Sequence, residues 1–144
     1  MKIEEIHESW AEDSKIDMSE LGRESADIPQ LHARWLRRHS DEKLLLSMLK
    51  QQQSRLKLKK HEWLLTGETK ESRELGWRYP ARGAPLRADL DLYLSADKEM
   101  QDIEARVTLQ TEKVRVLEEI VRQINWRHAA IKNAVEDEKW KQGG

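Results

Sequence analysis

The residues able to do chemistry in this chain are nearly all cations. His7-Glu8 and His61-Glu62 each lack a second histidine four residues on, so neither builds the helical pair that holds catalytic zinc. His32 and His39 lie seven residues apart, about 10 Å along a helix, too far to share one ion unaided. There is no cysteine, hence no disulfide and no thiol chemistry. No glycine-rich phosphate loop or dinucleotide fingerprint occurs. The many acidic side chains fall on helical faces, where solvated carboxylates are ordinary. The pattern points to no catalytic residue, no metal and no cofactor, and the chain reads as a non-enzyme.

Positive charge, by contrast, is organised. Arg34, Arg37, Arg38, Lys43, Lys50, Arg55, Lys57, Lys59 and Lys60 share a stretch whose only acids are Asp41 and Glu42. Residues 1–33 carry 3 basic and 9 acidic side chains, a net of −6. Residues 34–88 carry 14 and 6, a net of +8, and residues 89–144 carry 9 and 12, a net of −3. A basic centre between acidic flanks attracts a polyanion at its middle; the alternative is helix faces whose charges pair across a bundle. Farther on, Arg73-Glu74-Leu75-Gly76-Trp77-Arg78-Tyr79-Pro80-Ala81-Arg82-Gly83 interleaves arginines with aromatics. That mixture suits single-stranded nucleic acid, cations tracking phosphates and rings stacking on bases. Its competing reading is that Trp77 and Tyr79 pin the loop onto the helices. The candidate DNA contacts are therefore Arg34, Arg37, Arg38, Arg55, Lys57, Lys59 and Lys60, with Trp77, Arg78 and Arg82 on the loop.

These residues need elements to hold them. Ile3, Ile6 and Trp10 predict a short helix over about 2–12. Asp17-Met18-Ser19-Glu20 has the form of a capping box. Ile28, Trp35, Leu49, Leu56 and Trp63 keep a seven-residue spacing broken once, at Glu42, and Leu31, Leu45 and Leu46 fill the neighbouring positions. With Pro29 as a kink, this predicts a near-continuous helix over about 18–65, ended by Thr66-Gly67. A restart with Asp27 as N-cap is the other option. Residues of about 66–94 read as an irregular loop. Within it Leu86, Ala88, Leu90, Leu92 and Leu94 alternate with polar residues, as in a short strand or extended lead-in. Ser95 is the predicted N-cap of a last helix over about 96–138. Its heptad seam runs Met100, Ile103, Val107, Gln110, Val114, Leu117, Val121, Ile124, His128, Ile131 and Val135. Val107, Val114, Leu117, Val121, Ile124 and Ile131 are expected in a subunit interface, with Gln110 and His128 setting register.

Composition agrees. The 144 residues are one domain at most, 37% charged and 38% hydrophobic, without phenylalanine. That is too polar for a large private core and suits long helices that complete their burial by self-association. The predicted fold is all-α, a helical hairpin or bundle with heptad seams forming a homo-oligomer. No apolar run approaches the roughly 18–20 residues of a membrane span, and Met1-Lys2-Ile3-Glu4-Glu5 is not a signal peptide. No membrane contact is expected, and a cytoplasmic location is.

Arg34-Trp35-Leu36-Arg37-Arg38-His39-Ser40 resembles the Trp-Leu-x-basic-His-Ser segment of the UvsY family, recombination mediators of T-even-type phages. Leu94-Ser95-Ala96-Asp97-Lys98 is similar to that family's Leu-Ser-Ala-Asp-Lys, and Ala130-Ile131-Lys132, Ile3-Glu4-Glu5-Ile6 and Ile16-Asp17 also fit. Leu56-Lys57-Leu58-Lys59-Lys60 keeps the charge of a family run implicated in DNA binding. Pro29 and the loop from Gly76 to Pro85 depart from the family. The resemblance implies a helical subunit in a ring of six or seven, working in the host cytoplasm. It implies binding of single-stranded DNA, and loading of a RecA-like recombinase onto DNA covered by single-stranded-DNA-binding protein, without nuclease or ATPase activity. From residues alone, a non-catalytic helical adaptor for an acidic protein partner is the alternative.

Overall fold

The computed structural model describes residues 1–143. Among them are six α-helices and no strand: α1 Ile3–Asp13, α2 Leu21–Ala26, α3 Ile28–Thr66, α4 Lys70–Glu74, α5 Leu90–Ala96 and α6 Lys98–Lys141. A single 3-10 turn, Arg87–Asp89, leads into α5. The contacts divide the chain into two units. One holds Met1–Leu44 with the chain from Gln110 on; the other is Leu45–Leu109.

The first unit is built on Trp35. Its indole is fully buried, as are Ile6 of α1 and Leu117 of α6, and Val116, Ile120 and Ile124 complete the cluster. Trp10 meets Trp35 edge to face at 5.7 Å, the arrangement that ring quadrupoles favour. The Trp35 Nε1–H donates to Asp13 at 2.9 Å, so burying the indole leaves no orphan donor. Of the residues expected at a subunit interface, Val107 and Val121 are partly buried and the other four are buried within the chain. Leu117 and Ile124 are 0% and 1% exposed, and Val114 and Ile131 are also buried. Leu117, Ile124 and the partly buried Val121 pack against α1 and α3 of the same chain. A side chain with no exposed surface cannot bury more in a second copy.

The irregular heptad positions also find partners. Glu42 and Gln110 are both buried, and Gln110 Nε2 donates to the Glu42 carbonyl at 2.8 Å and to its carboxylate at 2.6 Å. The other Glu42 carboxylate oxygen lies 3.5 Å from the Met1 ammonium, and a buried polar pair so satisfied fixes register. His128 is instead exposed, with Nδ1 3.1 Å from the Asn125 carbonyl. Arg127 is buried and donates to the carbonyls of Ser14 (3.2 Å) and Lys15 (2.9 Å) and to Glu24 (2.9 Å). It thereby ties the α1–α2 linker to α6.

The expected helix over 18–65 is divided. Asp27 separates α2 from α3, and its carbonyl accepts from the Leu31 amide at 3.1 Å to start α3. Pro29 then sits where an N–H would have no intrahelical acceptor. Asp17 makes a turn instead of a cap. It accepts from the Ser19 hydroxyl and amide, which holds its carboxyl below the usual carboxylate range.

The second unit is built on Trp63 and Leu64 of α3 with Leu90 and Leu94 of α5. Leu90 and Leu94 are both buried while Leu86 and Leu92 are exposed, a four-residue repeat that overturns the strand reading of this segment. α3 ends at Gly67, whose φ of 93° suits glycine and whose N–H bonds the Trp63 carbonyl. α6 is capped by Asp97, accepting from the Met100 amide at 3.0 Å. Ser95, the expected cap, bonds back to the Leu92 carbonyl.

Candidate nucleic-acid interface

The second unit turns one side of α3 to its core and the rest to solvent. Trp63, Leu64 and Lys60 are inside; Lys50, Arg55, Lys57 and Lys59 are outside. Lys50 and Lys57 stand seven residues apart in one column, about 10 Å along the axis, and Arg55 and Lys59 four apart in another. Leu58 is exposed between the columns. Lys50, Arg55 and Lys57 have no ion-pair partner among the described residues. Lys59 lies 3.9 Å from Glu71, an exposed pair worth less than about 1 kcal/mol. Four cations within ten residues thus border the solvent side of α3 as a broad strip of nearly uncompensated charge, its two columns nearly half a helical turn apart. Lys50 is the member missing from the candidates read off the sequence; its spacing to Lys57 was the available signal.

Lys60 is a correction. It is only 3% exposed. Its Nζ lies 3.1 Å from Asp97 and 3.6 Å from Glu99, and 4.1 Å from the centre of the Trp77 ring. The ammonium is held between carboxylates and an indole, where it organises the core and does not meet a polyanion arriving from solvent. Replacing Lys60 by methionine is therefore expected to leave the salt dependence of DNA binding unchanged. Lys57→Ala is expected to lower the log–log slope by about 0.7, the single-strand value per phosphate. Titration of a labelled oligonucleotide across salt concentrations compares the two, and a lowered slope for Lys60→Met overturns this assignment.

Trp77 is a second correction. It packs edge to face on Trp63 at 5.4 Å, Tyr79 does the same at 5.5 Å, and the Tyr79 hydroxyl donates to the Leu64 carbonyl at 2.6 Å. The aromatics pin the loop, as the competing reading had it. Both indole nitrogens, of Trp63 and Trp77, are buried without a hydrogen-bond partner, a cost of about 1–3 kcal/mol each. Arg78 and Arg82 of the same loop are exposed.

In the first unit the arginines differ among themselves. Arg34 is held by Asp13 at 2.9 Å. Arg38 lies over the Trp35 ring at 4.5 Å and has one terminal nitrogen buried without a partner. Arg37 is exposed on α3.

Among the described residues no cluster of His, Cys, Asp or Glu could hold a metal ion, and no helix is long and apolar enough to cross a membrane. The fold and charge define an all-α protein that presents a cationic strip on a long helix to solvent. A family model described as "Recombination, repair and ssDNA binding protein UvsY" matches residues 9–144, and the chain belongs to the UvsY family. That is a DNA-binding family and not a known catalytic one. The fold is similar to crystal structures of the bacteriophage T4 recombination mediator protein UvsY. One (lattice type II) matches at TM-score 0.81 and 22% identity, covering 100% of this chain and 99% of that one. Another (lattice type IV) matches at 0.80 and 20%, covering 98% and 99%. No curated protein matches the chain.

Proposed function

We propose that the chain is a recombination mediator. It binds single-stranded DNA through Lys50, Arg55, Lys57 and Lys59, with Arg37, Arg78 and Arg82 as further phosphate contacts. It promotes loading of a RecA-like recombinase onto DNA covered by single-stranded-DNA-binding protein, in the host cytoplasm, and has no catalytic centre of its own. The observation that carries the reading is the solvent-facing strip on α3 in a member of a recombination and single-strand-binding family.

We further propose that the protein acts as a ring of six or seven copies. Since Leu117 and Ile124 are spent inside the chain, association uses a different face of α6. Trp126 and Trp140 are 66% and 81% exposed, fourteen residues apart on one helical side, with Ala130 exposed between them. Charge pairs surround them: Arg115 with Glu112 at 2.6 Å, Arg122 with Glu119 at 2.6 Å, and Lys141 with Asp137 at 3.0 Å. Two exposed indoles about 21 Å apart on a helix face that carries charges of both signs suit a second copy of this chain, whereas a polyanion needs one sign.

The test is recombinase filament assembly on single strands precoated with single-stranded-DNA-binding protein. Addition of this protein is expected to shorten the lag. An unchanged lag despite tight DNA binding removes the loading role. Absence of single-strand binding at low salt leaves the adaptor for an acidic protein as the reading of the strip.

A further inference from the structure

The solvent side of α3 carries a pattern that phosphate contact does not need. Leu44, Gln51, Leu58 and Leu65 stand seven residues apart, and all are exposed. The three leucines keep 43–67% of their surface in solvent. A single exposed leucine is ordinary. Leucines repeated every seven residues along one helix are the seam on which a second helix packs. This column is separate from the buried side of α3, where Trp63 and Leu64 enter the core. Ser47 and Ser54, each three residues after a seam position, are exposed too, and their small side chains leave room for those of a neighbour. A strict heptad drifts by about 20° per repeat on a straight helix, so the partner that follows it is another helix winding along α3.

The flanks say which helix. A lysine precedes each of the first three seam residues: Lys43, Lys50 and Lys57. All three are exposed, and none has an ion-pair partner among the described residues. In a packed helix pair this is a position whose charges choose the partner. Three lysines there repel a second copy of α3 and call for carboxylates. The opposite flank, Met48, Arg55 and Glu62, is mixed, so the demand for acid comes from the lysine edge. We propose that this face of α3 docks an amphipathic helix of a partner protein, apolar along its seam and lined with glutamate or aspartate on the edge that meets the lysines. Lys50 and Lys57 belong to the strip proposed to hold single-stranded DNA. On that reading helix and strand exclude each other, and binding one releases the other.

The probe is a fluorescein-labelled synthetic peptide of four heptads, with leucine on its seam and glutamate on both flanks, which keeps it from pairing with itself. The control peptide has alanine in place of leucine and the same charge. By anisotropy at matched salt, the full chain is expected to bind the leucine peptide about tenfold more tightly than the alanine peptide. Leu58→Ala together with Leu65→Ala should remove that advantage. Helicity, mass in sedimentation and DNA affinity should stay as in the wild type, because both side chains are exposed and alanine favours the helix. Unlabelled leucine peptide should displace a labelled oligonucleotide. Equal affinity for the two peptides overturns the docking face, since charge alone then suffices. A double variant that keeps the preference also overturns it. A double variant of lower mass gives the seam to a second copy, and one that loses DNA as it loses peptide gives it to the strand; either overturns the proposal. Peptide binding that leaves the oligonucleotide in place overturns the exclusion. Peptide binding without single-strand binding at low salt overturns the proposed function and supports the docking face.

Discussion

Alanine at Lys50, Lys57 and Lys59 together is expected to flatten the salt dependence of single-strand binding by about two log–log units. Each lysine that neutralises a phosphate releases a counterion, and each release contributes about 0.7 to the slope on single strands. If the titration lines converge near 1 M salt, two units amount to about a hundredfold loss of affinity at 0.1 M. The fold should not change. All three side chains are exposed, Lys59 has only a distant partner in Glu71, and alanine is the best helix former. The measurement is the dissociation constant at four or five salt concentrations, with helicity followed by circular dichroism. An unchanged slope removes the strip from the DNA path and leaves Arg78 and Arg82, which are exposed on the loop.

Much of this arrangement was legible in the sequence, and the losses have physical reasons. A heptad seam tells that a face is buried but not by what. The spacing of Leu117 and Ile124 predicts a buried seam without naming its partner, and Trp35 and Ile6 of the same chain fill that role. Lys57 and Lys60 look alike as letters. Three residues along a helix turn the side chain by about 60°, and that turn carries Lys60 to Asp97 and Trp77 while Lys57 stays in solvent. Arg127 gave no signal, because two of its acceptors are backbone carbonyls more than a hundred residues away in sequence. Leu86 to Leu94 fits two periods at once, and only the burial of Leu90 and Leu94 separates helix from strand. Local chemistry read better. Gly67 ends α3 where the positive φ requires it, and two of the three polar interruptions of the seams, Glu42 and Gln110, meet each other, while His128 stays exposed.

Glutamate at both Trp126 and Trp140 is expected to dissociate the proposed ring and to weaken single-strand binding by about 10²–10⁴, though no cation of the strip is touched. A single subunit offers four exposed cations in ten residues, and such contacts are screened beyond about 10 Å at 0.1 M salt. A ring repeats the strip, so a strand bound at one copy meets the next as an intramolecular event, and that avidity is the margin lost on dissociation. The substitutions leave the chain's own core intact, because 66% and 81% of these two side chains face solvent. The contrast is Leu117→Asp. Leu117 is 0% exposed at the centre of the first unit's core, where an unpaired charge costs enough to unfold it. The three proteins separate cleanly by sedimentation for mass, thermal melting for fold, and anisotropy for DNA. The Trp126/Trp140 variant should be small, folded and weakly binding, and the Leu117 variant unfolded. A Trp126/Trp140 variant that keeps the wild-type mass takes this face of α6 out of the interface. One that is small but binds at wild-type strength makes a single strip sufficient and ends the avidity mechanism.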